Sequence, residues 1–151
     1  MLTGINSTTK VNDAEWKRIK AEVKKFKGAY TAVGFFSGMG SLLLTKAYAN
    51  EYGTSRGIPP RPFMRQTFER VKNKVQRVIA KELEMIYAGT STAKTSIARL
   101  GEWYVGEVKR TFRTGKFAEN SQKTIKHKGS SKPLIDTGEL RNSVTHREFN
   151  I

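Results

Sequence analysis

Ala49-Asn50-Glu51-Tyr52-Gly53-Thr54-Ser55-Arg56-Gly57-Ile58-Pro59-Pro60-Arg61-Pro62-Phe63-Met64-Arg65 divides the chain in two. Three of the four prolines stand within this stretch, close behind Gly53 and Gly57. Proline has no N–H to donate and restricts the residue before it, so neither a helix nor a central strand crosses this point. Ile58 to Arg61 is expected to be extended and stiff, with Pro62 placed to open the helix that follows. In its plainest role the stretch is a rigid connection. As a preset elbow it would also present Arg56, Arg61 and the nearby aromatics to a partner.

Beyond the elbow, Met64, Phe68, Val71, Val75, Val78, Ile79 and Ile86 keep one apolar stripe, with Leu83 alongside. That periodicity predicts a long amphipathic helix from Pro62 to Tyr87. Gly89 breaks it, and Thr90, Ser91 or Thr92 can cap a second helix to about Phe112. Ala93, Ile97, Leu100, Tyr104, Val108 and Phe112 form its stripe. The two should fold back on each other as a helical hairpin. Gly101 and Gly106 each cost that second helix roughly 1 kcal/mol against Ala, so a close approach by another helix or a neighbouring subunit is expected there.

Before the elbow, residues 1–11 read as an arm, and Asn12 or Asp13 can cap a helix carrying Trp16, Ile19, Val23 and Phe26 on one narrow face. Gly28 ends that helix. Tyr30 to Phe36 reads as a strand, with Tyr30, Ala32, Gly34 and Phe36 on one face and Thr31, Val33 and Phe35 on the other. Ser41 is expected to cap a short helix that closes at Gly53. After the hairpin, residues 113–132 form an extended basic loop. From Lys109 to Lys132 there are eight Lys or Arg and one acid, Glu119. Such a loop is either solvated or an arm that orders against a neighbour. Asp136 and Glu139 have capping-box spacing, which places a helical turn there with Asp136 as its cap. Ser143 to Phe149 reads as a last strand, paired with the Tyr30 strand. The fold expected is α+β: a helical hairpin on a small antiparallel sheet, with an N-terminal helix and a long basic loop, in one domain over 1–151.

At 151 residues the chain can bury one core, and its hydrophobic share of 37% makes that core thin. A net charge of +15 calls for a polyanionic neighbour, either nucleic acid or an acidic protein surface. No basic amphipathic segment has the strongly apolar face that a membrane surface would need. No apolar run reaches the length of a membrane span and no signal-peptide core follows Met1, so a soluble chain made inside the cell is expected. With no cysteine, disulfides, thiolate metal sites and Cys nucleophiles are excluded.

Catalytic constellations do not emerge from the sequence. His127 and His146 have no carboxylate at metal-ligand spacing, and the acids are scattered singly. Asp136-Thr137-Gly138 matches the triplet of aspartic proteases, but those work as a paired dyad and no second triplet exists here. No cofactor is expected. Nucleic-acid binding has the charge but no helix-turn-helix, zinc finger or aromatic-interleaved RNA motif to direct it, so charge supports non-specific contact only.

Two segments together resemble a known family. Residues 49–65, ANEYGTSRGIPPRPFMR, resemble the Glu-aromatic-Gly and Ile-Pro-x-Arg-Pro-Phe signature of tailed-bacteriophage neck and tail-completion proteins. Residues 124–144, TIKHKGSSKPLIDTGELRNSV, resemble that family's second signature. The matching positions are Glu51, Gly53, Ile58, Pro59, Arg61, Pro62 and Phe63, then Lys128, Gly129, Pro133, Leu134, Asp136, Thr137, Gly138, Leu140 and Ser143. Phe117 to Ser121 departs from the pattern, since many relatives carry prolines there. The resemblance covers about residues 30–149. It implies a non-enzymatic virion protein at the head–tail junction, made in the host cytoplasm and forming a homo-oligomeric ring, commonly six-fold. Its partners would be other copies, the connector below the head, the tail terminator or tail tube, and DNA passing through the lumen. The assembly surface would then include Arg56, Ile58, Pro59, Arg61, Pro62 and Phe63 from the elbow. Arg113, Lys116, Lys123, Lys126 and Lys128 would join it from the basic loop. Gly53, Asp136, Thr137, Gly138 and Leu140 would shape the motifs. The alternative is a non-specific basic DNA-binding protein.

Overall fold

A computed structural model of the chain describes residues 13–151; the expected arm over 1–11 lies outside the described residues. The elements run α1 (Asp13–Lys25), β1 (Tyr30–Gly34), α2 (Ser41–Tyr52), α3 (Phe63–Tyr87), α4 (Ala93–Thr114), α5 (Gln122–Lys128), α6 (Glu139–Asn142) and β2 (Thr145–Phe149). Helices α3 and α4 form the expected hairpin. The strands pair antiparallel, with Tyr30 opposite Phe149 and Gly34 opposite Thr145, and the sheet lies on α4. The α+β fold read from the sequence is the one observed.

The core gathers where the hairpin, α2, α6 and the sheet meet. Phe63, at the first turn of α3, packs 4.6 Å from the Phe112 ring and meets Phe35 edge-on at 6.0 Å. Leu43, Ala47, Val108, Leu140 and Val144 close around them. Such tilted and edge-on ring pairs add about 0.5–1.5 kcal/mol each beyond the area they bury.

The α4 stripe is as expected, with Ala93, Ile97, Val108 and Phe112 buried. The α3 stripe is corrected. Its buried residues are Phe63, Thr67, Val71 and Ile86, whereas Phe68 and Ile79 stand exposed. Thr67 takes a core position because its hydroxyl donates to the Phe63 carbonyl at 2.7 Å and lies 2.7 Å from Thr111 Oγ1. A hydroxyl satisfied inside its own helix can be buried at little cost. Next to this pair Arg70 bridges to the Glu107 carboxylate and to Thr111 Oγ1. At the far end of the hairpin Arg99 holds Glu82 at 2.7 Å and Ser91 Oγ at 2.6 Å. Burial pushes the Glu82 carboxyl up, but the hydrogen bonds from Arg99 and Ser96 and the Arg99 charge outweigh it and leave it below the ordinary value.

Helix α1 is a strap with no buried residue. Arg18 donates to the carbonyls of Ile86 and Tyr87 at the C-terminal end of α3, at 2.8 and 2.9 Å. Glu22 accepts from the Ala93 N–H, at 2.7 Å, at the N-terminal end of α4. A cation on a helix C-terminus and an anion on an N-terminus both match the helix dipoles. Lys25's hydrogen bond and the Ala93 N–H hold the Glu22 carboxyl below its usual range.

One expected cap is also corrected. Gly40, at φ +90°, precedes α2 in a backbone region that suits glycine, and no side chain caps that helix. Pro62 stands just before α3 rather than inside it. Gly101 does allow a close approach, but by the sheet: a Cβ there would lie 2.5 Å from the His146 ring and 2.6 Å from Thr31 Oγ1. Gly106 faces open space. Gly101→Ala should therefore destabilise the chain by about 1–3 kcal/mol through overpacking. Gly106→Ala should stabilise it by up to about 1 kcal/mol through helix propensity. Urea unfolding of the two variants reads the difference, and equal effects would contradict the sheet packing.

Candidate functional site

The elbow is a closed loop rather than an exposed spur. Gly53 sits at φ +77°, and a Cβ on it would come within 2.9 Å of the Ile58 carbonyl oxygen and 3.0 Å of Pro60 N. Only glycine suits both the conformation and the space. Thr54 N donates to the Ile58 carbonyl at 2.9 Å, and Arg61 N donates to the Asn50 carbonyl at 2.6 Å. The chain thus turns back onto the end of α2 before α3 begins.

Glu51, on the last turn of α2, fixes the start of α3. Only 5% exposed, its carboxylate accepts from the backbone N–H groups of Met64 (2.9 Å) and Arg65 (3.2 Å) and from Arg65 Nε (3.2 Å). First-turn N–H groups have no partner inside a helix, so a carboxylate from outside supplies what a capping side chain would. Proline at position 62 cannot cap with a side-chain oxygen. Glu51 is a matching position in the sequence, but this role is not evident there. The signal was no more than an acid one element upstream of a helix that opens on proline.

Arg61 is the largest correction. Expected on an assembly surface, it is 7% exposed and faces inward. Its Nε donates to the Ala118 carbonyl at 2.8 Å, and its Nη2 donates to the Glu119 carbonyl at 2.9 Å and Asn120 Oδ1 at 3.3 Å. Burial pulls its pKa below the ordinary guanidinium value. Phe63, 1% exposed, belongs to the core, and Pro62 is half-buried between the two.

The basic loop over 113–132 is not an unstructured arm. Arg113 still belongs to α4, and α5 occupies Gln122–Lys128. Ser121 Oγ caps α5 by accepting from Thr124 N at 3.2 Å, and Gly129 ends it in the left-handed region. Gln66 Nε2 donates to the Lys116 carbonyl at 2.7 Å, and Arg61 fastens the next residues. Arg113, Lys116, Lys123 and Lys126 are all exposed. Lys128 is half-buried, and its ammonium donates to the Lys132 carbonyl at 2.6 Å.

In the second segment Asp136 does not cap. Gly138, left-handed at φ +81°, precedes α6, and Glu139 N donates to Thr137 Oγ1 at 3.3 Å. The nearer hydroxyl takes the N–H that capping-box spacing assigns to the carboxylate. Leu140 is buried in the core beside Phe63.

Between the two segments lies a cleft of about 610 Å³. Arg56, Ile58, Pro59 and Arg61 line one wall, and Lys128, Leu134, Asp136, Thr137 and Leu140 the other. Lys46, Asn50, Gly57, Glu119, Asn120, Ser121 and Thr124 complete it, none of them among the expected assembly residues. Gly53, Phe63, Arg113, Lys116, Lys123 and Lys126 lie outside its lining. A second, open groove of about 730 Å³ runs between α2 and α3, past Tyr48, Tyr52, Met64 and Phe68. Tyr48 is 67% exposed and Phe68 53%. Among the described residues no group of His, Asp and Glu is arranged to hold a metal ion, and no helix is long and apolar enough to cross a membrane. In comparisons with known proteins, no family model, curated protein or solved structure matches this chain.

Arg61→Ala should cost about 2–4 kcal/mol of folding stability, because it removes a buried side chain and the hydrogen bonds that tie residues 118–120 to the elbow. It should also open residues 116–121 to limited proteolysis. Arg56→Ala, on the exposed wall, should stay within about 0.5 kcal/mol of the parent. Equal stability of the two variants would show that the elbow is not closed by Arg61.

Proposed function

We propose that this chain is a non-enzymatic structural subunit of a tailed-bacteriophage head–tail junction, a neck or tail-completion component that works in a ring of identical copies. The observation that carries the reading is that the two segments resembling that family form one structural unit. Arg61 of the first donates to the carbonyls at 118 and 119 that lead into the second, and Leu140 of the second shares a core with Phe63 of the first. Residues far apart in sequence are thus held as a single unit.

Two physical features support it. The core is thin, and Leu42, Tyr48, Tyr52 and Phe68 remain exposed, as suits a subunit that completes its burial against copies of itself. The positive excess has acidic partners or lumenal DNA to meet, and charge of that kind steers assembly and sets register. In this reading the subunit bridges the connector below the head and the tail terminator or tail tube, and its location is the neck of the virion. The second reading, non-specific DNA binding, draws on the exposed cations Arg113, Lys116, Lys123 and Lys126.

Negative-stain imaging of the purified protein, and of particles from the genome that encodes it, separates the two. Closed rings and label at the neck are expected. A monomer absent from the particle, with steeply salt-dependent duplex affinity, would overturn the junction reading in favour of the DNA binder.

A further inference from the structure

The cleft between the two segments contains a cation, Arg61, that forms no ion pair among the described residues. The acceptors that Arg61 Nε and Nη2 find at residues 118–120 are two carbonyls and an amide oxygen, all neutral. Arg61, although 7% exposed overall, lines the cleft, and its Nη1 has no hydrogen-bond partner among the described residues. A guanidinium that is mostly desolvated, with one donor edge free at a cleft, is set up for a charge-assisted bond to an incoming anion.

The neighbours extend the same character. Burial lowers the pKa of Lys128; Asp136 works against this, and the Arg61 charge adds to it. Arg56 and Lys46 stand at the rim, Lys46 already 3.3 Å from Glu139. Four cations (Lys46, Arg56, Arg61 and Lys128) thus line the cleft against two acids (Glu119 and Asp136). Between the charges lie Ile58, which is 42% exposed, and Pro59, Leu134 and Leu140.

We propose that this cleft receives an extended acidic segment of a partner protein, with a carboxylate on Arg61 Nη1 and Arg56 and an apolar side chain laid on Ile58 and Leu134. A phosphodiester strand fits less well, because it brings no apolar side chain to Ile58, Pro59 and Leu134. Glu119 and Asp136 would also repel its unbroken negative charge. The inference deepens the junction reading, on which it rests for the source of the partner, by naming the chemistry of the contact.

The test uses the full chain and a fluorescein-labelled short peptide of alternating aspartate and leucine, followed by anisotropy at about 150 mM salt, where long-range attraction is largely screened. A duplex DNA of matched charge serves as competitor. The peptide should bind, and Arg56→Glu with Ile58→Ser should weaken it about ten-fold or more with melting unchanged, since both side chains are exposed. If that variant melts early, Arg56→Glu alone decides, with about a three-fold loss expected. Absence of binding, binding insensitive to these substitutions, or displacement by the duplex at equal charge would each overturn the proposal. Peptide binding by the isolated chain needs neither ring nor virion, so it can fail while the junction reading holds, and the reverse.

Discussion

The structure around the elbow depends on one buried guanidinium. Arg61 sits where three connections cross: the end of α2 through its own N–H, the start of α3 two residues on, and the strand of chain from 118 to 120 through its side chain. A cation taken out of water requires hydrogen-bonding partners, and here the partners are the backbone carbonyls of Ala118 and Glu119. The prolines make this economical: Pro59, Pro60 and Pro62 lose little backbone freedom on folding and hold Arg61 at one point.

The same use of charge recurs through the molecule. Glu22 caps α4, Glu51 caps α3, and Glu82 and Glu107 brace the hairpin against Arg99 and Arg70. The side chains of these four acids are 7–15% exposed. These four acids are thereby drawn inward as structural anions, while many of the chain's lysines and arginines remain outside. The excess of +15 is therefore carried by the cations left without such partners. That is the setting in which a cleft lined by Arg61, outside every ion pair among the described residues, becomes a point of recognition.

Much of the architecture was legible because it follows from periodicity and chain breakers. The stripe from Ala93 to Phe112, the stop at the prolines and the alternation at both ends of the sheet each carry their own physical cause. What was illegible depended on partners distant in sequence. Thr67 reads as a surface residue until Thr111 is seen beside it. Arg61 and Phe63 read as presented to a neighbour because a proline-rich elbow says where the chain turns but not which face is covered. Asp136 lost its expected cap to a hydroxyl one residue nearer. Helix α5 was missed although Ser121 and Gly129 flank it as caps, because its lysines leave no apolar stripe. Of the candidate site, the two segments were found and their meeting was not, since the carbonyls that join them belong to residues that departed from the family pattern.

Glu51 and Arg61 close the elbow in the isolated chain, before any partner is present. Amide hydrogen exchange of the wild-type protein tests it most directly, at the backbone N–H groups of Arg61, Met64 and Arg65. The first N–H groups of a helix lack partners within it and ordinarily exchange freely. Met64 and Arg65, held by the Glu51 carboxylate, and Arg61, held by the Asn50 carbonyl, should be protected to a degree approaching Val108 in mid-α4. Exchange at free-chain rates for all three, with Val108 still protected, would contradict it.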